Sequence, residues 1–488
     1  MLKGIRRNSH LLAFILNMPY TCFYTMRNIK HILTLTMTGL VLSTPLYAQG
    51  VNGFVHEQSS TNGYVWPSDT EVRKNLDKWQ DQKFGVLFHW GLYSVPGICE
   101  SWSICSEDEE WIPRDKNMSY EEYKKWYWGL SEKFNPQKFN PEQWAEVMHE
   151  AGMKYMVFTT KHHDGFCMFD SKYTDFSIAR HAFKDHPRRN VAYHVFEAFR
   201  QKDFMIGCYF SKPDWHCPWF WNPYFATSSR RINYKKSKHP DWWKNYQDFT
   251  ENQLNELMSS YGKFDILWLD GGWITGEDIH LDRVLAKARK QHPGLISVDR
   301  TMRGKNENYQ TPERSIPDRQ LDYPWESCVT LANDWGWTPN APYKSAQKVI
   351  NTLAEIVAKG GCYLLGIGPT PEGIIEQPVV ERMQQVGKWL RTNGEAIYAT
   401  RNTEYYNDGK IWFTANKDGK TLYAIYTLND GESLPETISW KRNIPKGKII
   451  LLQTGKKVKY SCQNNVVTLN LPRNLRNEPL VFRFELVK

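Results

Sequence analysis

Residues 264–272 read Phe-Asp-Ile-Leu-Trp-Leu-Asp-Gly-Gly, an apolar run that ends in one carboxylate and two glycines. A short apolar run of this kind is typical of a parallel strand that is buried on both faces. Similar runs occur at Phe84–Phe88, Tyr155–Thr159, Met205–Phe210, Ile296–Val298 and Cys362–Ile367. The sequence therefore predicts a parallel sheet built from these strands.

Helix patterns lie between the predicted strands. Asn140 and Pro141 begin one helix, which Gly152 ends, and a second runs from Ser345 towards Gly360. Alternation of strands and helices from about residue 70 to about residue 400 is typical of a (β/α)8 barrel or of a doubly wound sheet.

Polar and aromatic side chains follow almost every predicted strand. These clusters are His89-Trp90, Lys161–Asp164, Ser211, Asp214-Trp215, Asp270–Gly272 and Asp299-Arg300. In (β/α)8 enzymes the active site is built at the carboxyl ends of many strands around one axis, whereas a doubly wound sheet uses the few strands at one crevice. We therefore predict an α/β fold with a (β/α)8-like (TIM) barrel as a catalytic domain at residues 49–400.

The pattern changes after about residue 400, where helix signals give way to short strands separated by turns. The predicted strands are Ile411–Thr414, Thr421–Thr427, Lys448–Leu452 and Val466–Leu471. We expect a small antiparallel β-sandwich domain at residues 405–488. Its expected role is structural, with carbohydrate binding as the alternative.

Residues 1–48 have the character of an N-terminal extension followed by a signal peptide. Basic residues precede the apolar run Ile32–Leu42, and small residues lead to a cleavage site after Ala48. Met26 stands where such a signal would begin. The sequence therefore predicts export, to a periplasm or to the medium, and no membrane span in the mature chain, because the apolar run is short.

The formal net charge of +9 gives little support to a nucleic-acid partner. Residues 1–48 contain five basic residues and no acidic one, so their removal would leave +4. A small excess of this size does not predict binding to nucleic acid or to a membrane surface.

The composition leaves two questions open. The 21 Trp, 26 Tyr and 23 Phe would suit a thick aromatic core or sugar binding, because the C–H face of a pyranose packs well on aromatic rings. Nine Cys are present, and Cys99 and Cys105 are close enough in sequence to form a disulfide after export. No CxxC spacing suggests a metal site.

Asp270 is the strongest candidate for a catalytic group. Glycoside hydrolysis needs two carboxyl groups that face the anomeric carbon, and a carboxylate at a strand end is held rigidly. The two glycines after it would let a ligand approach closely. The alternative is an aspartate in a turn that caps the following helix.

Six segments resemble, in the same order, the α-L-fucosidases of glycoside hydrolase family 29. They are residues 84–96, Phe139–Pro141 with Trp144, Lys161–Phe166, Asp265–Gly271, Trp325–Cys328 and Gly387–Tyr398. The resemblance implies an exo-acting, retaining α-L-fucosidase that needs no cofactor and acts on fucosylated glycans, with Asp270 as its nucleophile.

The resemblance also implies which residues bind the sugar. They are His89, Glu110, Trp111, His162, His163, Tyr209, Trp268 and Arg300. The histidines would hydrogen-bond the hydroxyls of fucose, and a pocket of Trp and Phe would accept its methyl group. The alternative for His162 and His163 is a metal site, which we do not expect because adjacent residues on a strand point to opposite faces.

Two glutamates compete for the role of acid/base. Glu313 lies in the loop after the strand that ends at Arg300, and Glu326 lies in the Trp325–Cys328 segment. We prefer Glu313, because a donor on a mobile loop could reach the leaving oxygen. Glu326 would then orient Arg or His side chains behind the pocket.

Residues 211–243 depart from the family pattern as an aromatic and polar stretch, which we expect to contact the leaving group. Two other functions are compatible with the same residues. One is activity on the related α-L-galactosides, and the other is carbohydrate binding without catalysis. The sequence does not predict an oligomeric state.

Overall fold

The computed structural model describes residues 64–105, 112, 114–115, 117–227 and 229–486. The strands of its larger parallel sheet are β1 Phe84–Phe88, β2 Tyr155–Lys161, β3 Met205–Ser211, β4 Ile266–Asp270, β5 Ile296–Asp299, β6 Glu326–Thr330 and β7 Cys362–Ile367. They are ordered β5-β4-β3-β2-β1-β7-β6 in a curled sheet. The carboxyl ends of all these strands meet on one side, where the predicted catalytic residues lie.

Residues 308–314 occupy the gap between β5 and β6. The backbone N–H of Asn308 donates to the carbonyl of Ser297 on β5 at 2.8 Å. On the other side, Gln310 pairs with Trp325 and Glu313 pairs with Cys328 as isolated parallel bridges. This irregular segment stands in the place of an eighth strand, so the chain forms the predicted barrel-like fold.

Eight α-helices are described: α1 Thr70–Gln82, α2 Tyr120–Trp128, α3 Pro141–Glu150, α4 Val191–Arg200, α5 Pro240–Ser260, α6 Leu281–Gln291, α7 Ala346–Ala358 and α8 Gln377–Asn393. The two helix starts that were predicted from the sequence are capped. Asn140 accepts from the N–H of Gln143 at 3.1 Å, and Ser345 accepts from the N–H of Lys348 at 3.0 Å. Such a cap stabilises a helix by about 1 kcal/mol.

The strands after residue 399 are short and antiparallel. They are β8 Thr400–Arg401, β9 Asn407–Asp408, β10 Ile411–Asn416, β11 Thr421–Tyr426, β12 Thr437–Lys441, β13 Pro445–Leu451, β14 Lys456–Val458, β15 Tyr460–Gln463, β16 Val466–Asn470 and β17 Leu480–Leu486. Trp440 of one sheet packs on Phe413 and Phe484 of the other, with ring centroids 6.0 and 5.7 Å apart. Two sheets with a shared apolar core form the expected sandwich.

The sandwich is joined to the barrel helices by direct contacts. Trp389 of α8 donates its indole N–H to the carbonyl of Pro479 at 2.8 Å, and the amide of Asn351 on α7 donates to Leu428 at 2.9 Å. These bonds attach the sandwich to the barrel, and its structural role stays a prediction.

The eight cysteines that the structure describes are all free thiols. The disulfide considered between Cys99 and Cys105 is not formed in the structure. The thiol of Cys99 donates instead to the carboxylate of Glu100 at 3.4 Å. Within the described residues, no helix is both long and apolar enough to cross a membrane. The predicted signal peptide lies outside the described residues.

Candidate active site

Asp270 lies at the end of β4 and is held by two donors. Arg300 donates from Nη1 to Oδ1 at 2.9 Å, and the hydroxyl of Tyr209 donates to Oδ2 at 2.7 Å. Gly271 follows with a φ of +87°, and a Cβ there would lie 2.3 Å from the ring of Pro213. Glycine is therefore required for the backbone to turn away directly after the carboxylate.

The charged form of Asp270 is strongly favoured. Burial alone raises the pKa of this carboxyl, but the Arg300 guanidinium, His163 and the hydrogen bond from Tyr209 outweigh burial. The pKa of Asp270 is therefore held well below its ordinary value. A carboxylate that stays ionised at neutral pH is the form in which a nucleophile can attack.

Glu313 faces Asp270 across the same guanidinium. Arg300 donates from Nη2 to Glu313 Oε2 at 2.7 Å, and the indole N–H of Trp335 donates to Glu313 Oε1 at 3.2 Å. The two carboxyl groups thus bind neighbouring nitrogens of one side chain and stand close together. Retaining glycosidases need such a short separation, because one carboxyl attacks the carbon while the other protonates the leaving oxygen.

The predicted mobile loop around Glu313 is not what the structure shows. The N–H of Arg314 donates to the carbonyl of Cys328 at 2.8 Å, and Glu313 itself pairs with Cys328 in the bridge to β6. Glu313 therefore projects from a backbone that is bonded into the sheet, and its side chain is partly exposed to the pocket, at 17%.

Glu326 is enclosed behind the pocket. Its carboxylate accepts from the hydroxyls of Tyr155 at 2.7 Å and Tyr309 at 3.5 Å, and from the indole N–H of Trp268 at 3.2 Å. The side chain is fully buried, and burial raises its pKa to about 7. The expectation that Glu326 orients Arg or His side chains is wrong, because its partners are aromatic residues that fill the space around it.

The free energy of unfolding is expected to fall as the pH rises through 7, and Glu326→Gln is expected to reduce that fall. The raised pKa means that the folded state keeps a proton that the unfolded state releases above its ordinary value of 4.5. The stabilisation is complete below that value and is lost as the pH passes through about 7, which amounts to about 3 kcal/mol for one such group.

Urea unfolding at pH 5 and pH 8 measures this difference for the wild type and the variant. Burial also raises the pKa of Asp164 and of Glu307 to about 7, so a part of the fall should remain in Glu326→Gln. An identical fall in both proteins would show that Glu326 is ionised in the folded state.

The three predicted histidines lie together beside Asp270. The ring centroids of His89 and His162 are 5.6 Å apart, and those of His162 and His163 are 4.4 Å apart. Burial lowers the pKa of all three imidazoles, that of His162 to about 4. Each ring is therefore neutral at pH 7 and presents one donor and one acceptor.

Several of these ring nitrogens are buried without a hydrogen-bond partner. His162 Nδ1 lies 2.5 Å from the Ser101 hydroxyl, but His89 Nδ1 and both nitrogens of His163 have no hydrogen-bond partner within the described residues. Unpaired buried nitrogens are costly in a protein that has no ligand to satisfy them. A sugar with several hydroxyls would satisfy them.

The expectation that His162 and His163 point to opposite faces is wrong. Strand β2 ends at Lys161, so the alternation of faces no longer applies to the two residues that follow. Ligand atoms of His162, His163 and Asp270 all lie within 4.8 Å of one another. The positive charge of Arg300 beside Asp270 disfavours a cation here, whereas neutral hydroxyls meet no such repulsion.

Aromatic rings form the walls of the site. Arg300 lies 4.7 Å from the ring of Trp268, which stacks on Tyr209. His163 contacts three indole rings, those of Trp102, Trp215 and Trp273, with centroids 5.0 to 5.1 Å away. This apolar surround explains why burial is the main cause of the lowered pKa of His163.

Sequence reasoning missed Trp335. Its ring lies 5.3 Å from that of His89, and its N–H binds Glu313. The buried carboxylate of Glu100 accepts the backbone N–H groups of Trp335 and Gly336 at 2.6 and 2.7 Å, which fixes this turn. The available signal was a Trp-Gly-Trp sequence shortly after a strand that the apolar pattern had not revealed.

Most of the predicted site residues lie together in the structure. His89, His162, His163, Tyr209, Trp268, Asp270, Arg300 and Glu313 are brought together around one pocket, and Glu326 lies behind Trp268. Glu110 and Trp111 lie outside the described residues. In the stretch expected to contact the leaving group, Trp215, Phe220 and Trp221 are buried and pack the interior.

Comparisons with known proteins identify the family to which this site belongs. The sequence profile described as alpha-L-fucosidase matches residues 53–395. Human plasma alpha-L-fucosidase is 31% identical over 372 residues, which cover 72% of this chain and 76% of the relative.

Two solved structures have the same fold. One is the Thermotoga maritima alpha-fucosidase in complex with fucose, which is 27% identical in sequence and has a TM-score of 0.68. The superposition covers 86% of this chain and 100% of the Thermotoga maritima chain. The other is a Bacteroides thetaiotaomicron alpha-L-fucosidase trapped as a covalent intermediate with 2-fluoro-fucosyl fluoride. This enzyme is 25% identical in sequence and has a TM-score of 0.68, and the superposition covers 88% of this chain and 99% of the Bacteroides thetaiotaomicron chain. The chain therefore belongs to the α-L-fucosidase family of glycoside hydrolases.

Proposed function

We propose that this glycoside hydrolase removes terminal α-L-fucose from glycans by double displacement, with Asp270 as nucleophile and Glu313 as acid/base. The observation that carries the proposal is the pair of carboxyl groups on Arg300, with Glu313 bound to Nη2 and Asp270 to Nη1. The covalent intermediate trapped in the Bacteroides thetaiotaomicron relative supports the same course for this chain.

In the first step, an oxygen of Asp270 attacks the anomeric carbon. The bond between that carbon and the glycosidic oxygen breaks, and protonated Glu313 gives its proton to the departing oxygen. In the second step, Glu313 takes a proton from water, the water oxygen bonds to the anomeric carbon, and the ester bond to Asp270 breaks. Two inversions return the original α configuration.

Recognition of the sugar is assigned to the neutral histidines and the aromatic walls. The unpartnered nitrogens of His89 and His163 would bind ring hydroxyls, and the indoles would contact the methyl group at C5. A pocket of this kind discriminates weakly against one added hydroxyl. The fucose-bound Thermotoga maritima relative nevertheless favours fucosides over the related α-L-galactosides.

The test is the hydrolysis of 4-nitrophenyl α-L-fucoside followed by proton NMR. The first product is expected to be α-L-fucose, which then equilibrates with the β anomer. Release of the β anomer first would indicate an inverting enzyme and would reject the assignment of Asp270. Tight binding of fucose without turnover would favour the carbohydrate-binding alternative.

We also propose that the protein is exported and that its signal peptide is cleaved after Ala48. Basic residues, an apolar run and small residues precede this position in the order that a signal peptidase requires. N-terminal sequencing of the native protein tests the proposal, and a mature chain that begins elsewhere than Gln49 would contradict it.

A further inference from the structure

Residues 229–244, called here the basic segment, contain six basic residues and one acidic residue, Asp241. Their net charge of +5 is more than half of the formal +9 of the whole chain. A concentration of one sign of charge in so short a stretch raises the local concentration of counter-charged ligands.

The basic segment runs along the rim of the active site. The guanidinium of Arg230 lies 5.2 Å from the ring of Trp102 and 5.4 Å from that of Trp273, and both rings contact His163. Lys236 donates to Asp278 at 2.8 Å, in the short 3-10 helix Glu277–Ile279 that follows β4. The segment is therefore only one aromatic ring away from a histidine of the sugar pocket.

Three cations of the segment have no acidic partner within the described residues. Lys236 and Lys244 form ion pairs with Asp278 and Asp248. Arg231, Lys235 and Lys238, in contrast, are exposed and have no such pair. Their charges are available to a ligand that approaches the rim.

Exposed aromatic rings accompany these cations. Tyr224 is 85% exposed and Phe225 is 44% exposed, whereas Trp102 and Trp273 beside His163 are buried. Asn233 of the basic segment donates from its amide to the carbonyl of Phe225 at 2.8 Å and so fixes this turn beside the cations. Flat exposed rings are suited to packing against the C–H faces of pyranoses.

We propose that the basic segment binds an anionic group, a sulfate ester or a carboxylate, on the glycan to which the fucose is attached. Arg231, Lys235 and Lys238 supply the charge, and Tyr224 with Phe225 supplies a surface for the neighbouring sugar ring. Fucose itself is neutral, so charged groups outside the pocket can act only on the remainder of the substrate. The inference rests on the proposed fucosidase activity and specifies the class of substrate.

The test compares three substrates for each fucose linkage that the wild type hydrolyses. The first is a neutral fucosylated oligosaccharide. The second is the same oligosaccharide with one sulfate ester on the sugar next to fucose, and the third has a uronic acid in that position. The wild type is expected to show a kcat/KM for an anionic substrate about 5- to 20-fold above that for the neutral one at low salt. Added salt should reduce this ratio, since exposed charges are screened.

The triple variant Arg231→Ala/Lys235→Ala/Lys238→Ala is expected to bring the ratio close to one. The matched control is Lys456→Ala/Lys457→Ala/Lys459→Ala, which removes three exposed cations on and beside β14 of the sandwich and should keep the wild-type ratio. A preference for the sulfated substrate alone, or for the uronic acid alone, identifies which anion is bound.

Two failures can be told apart. If the wild type does not hydrolyse 4-nitrophenyl α-L-fucoside, the proposed function itself is wrong. If it does, but the anionic and neutral substrates give equal kcat/KM, or the ratio survives in the Arg231 triple variant, the basic segment does not bind the substrate.

Discussion

Asp270→Asn is expected to lower kcat for 4-nitrophenyl α-L-fucoside by about 10⁴-fold, because the amide cannot attack the anomeric carbon. The change keeps the shape of the side chain, and its oxygen can still accept from Arg300 or Tyr209, so the barrel is expected to remain folded. Steady-state kinetics with circular dichroism of the same preparation measures both effects.

A matched control is available on the same element. Asp265→Asn makes the same chemical change just before β4 begins, where the carboxylate accepts from the N–H of Ile206 at 2.9 Å. This residue lies at the far end of the strand from the pocket, so kcat for folded protein should change by less than about 3-fold. Inactivation with 2-fluoro-fucosyl fluoride should release the anomeric fluoride and add one 2-fluoro-fucosyl group to the peptide that contains Asp270. A label on another residue would contradict the assignment.

Glu313→Ala is expected to lower kcat for glycans with poor leaving groups by about 10²- to 10⁴-fold, the usual contribution of a general acid. Aryl fucosides with good leaving groups need less protonation and should lose less in the first step. Azide needs no general base, so it should enter the space left by the side chain and accelerate the variant. Kinetics over a series of aryl fucosides, with and without azide, measures all three effects.

Glu326→Gln is the matched comparison for the second carboxyl. Glu326 is fully buried and bonded to Tyr155, Trp268 and Tyr309, so it has no path to a leaving oxygen. We expect a loss of less than about 10-fold that does not depend on the leaving group and does not respond to azide. If azide accelerated a Glu326 variant and did not accelerate Glu313→Ala, Glu326 and not Glu313 would be the acid/base.

Much of the barrel was predictable because its strands are continuous apolar runs. Phe84–Phe88 and Cys362–Ile367 were predicted with the bounds that the structure shows, and Asp270 was identified from its place after such a run. Strand β6, in contrast, reads Glu-Ser-Cys-Val-Thr and contains no continuous apolar run, so the apolar pattern does not reveal it. The carboxylate of Glu326 in this strand is buried among hydrogen-bond donors that only the tertiary structure brings together.

The less regular parts of the site were not predictable from periodicity. Residues 308–314 pair with β5 and β6 through isolated bonds and contain no continuous apolar run, so the sequence predicts a mobile loop around Glu313. The proximity of His162 to His163 depends on where β2 ends, which is a matter of one or two residues. Trp335 depends on a turn that is fixed by Glu100, 235 residues away in sequence.

The guanidinium shared by Asp270 and Glu313 has a consequence for the charge balance of the site during the reaction. Before the first step of the proposed mechanism, the guanidinium of Arg300 binds the ionised carboxylate of Asp270 and the protonated carboxyl of Glu313. Once the sugar is esterified to Asp270 in that mechanism, Asp270 is neutral, and Glu313 has become a carboxylate by giving up its proton. The same immobile guanidinium therefore faces one negative charge in each state, on Asp270 before the first step and on Glu313 after it.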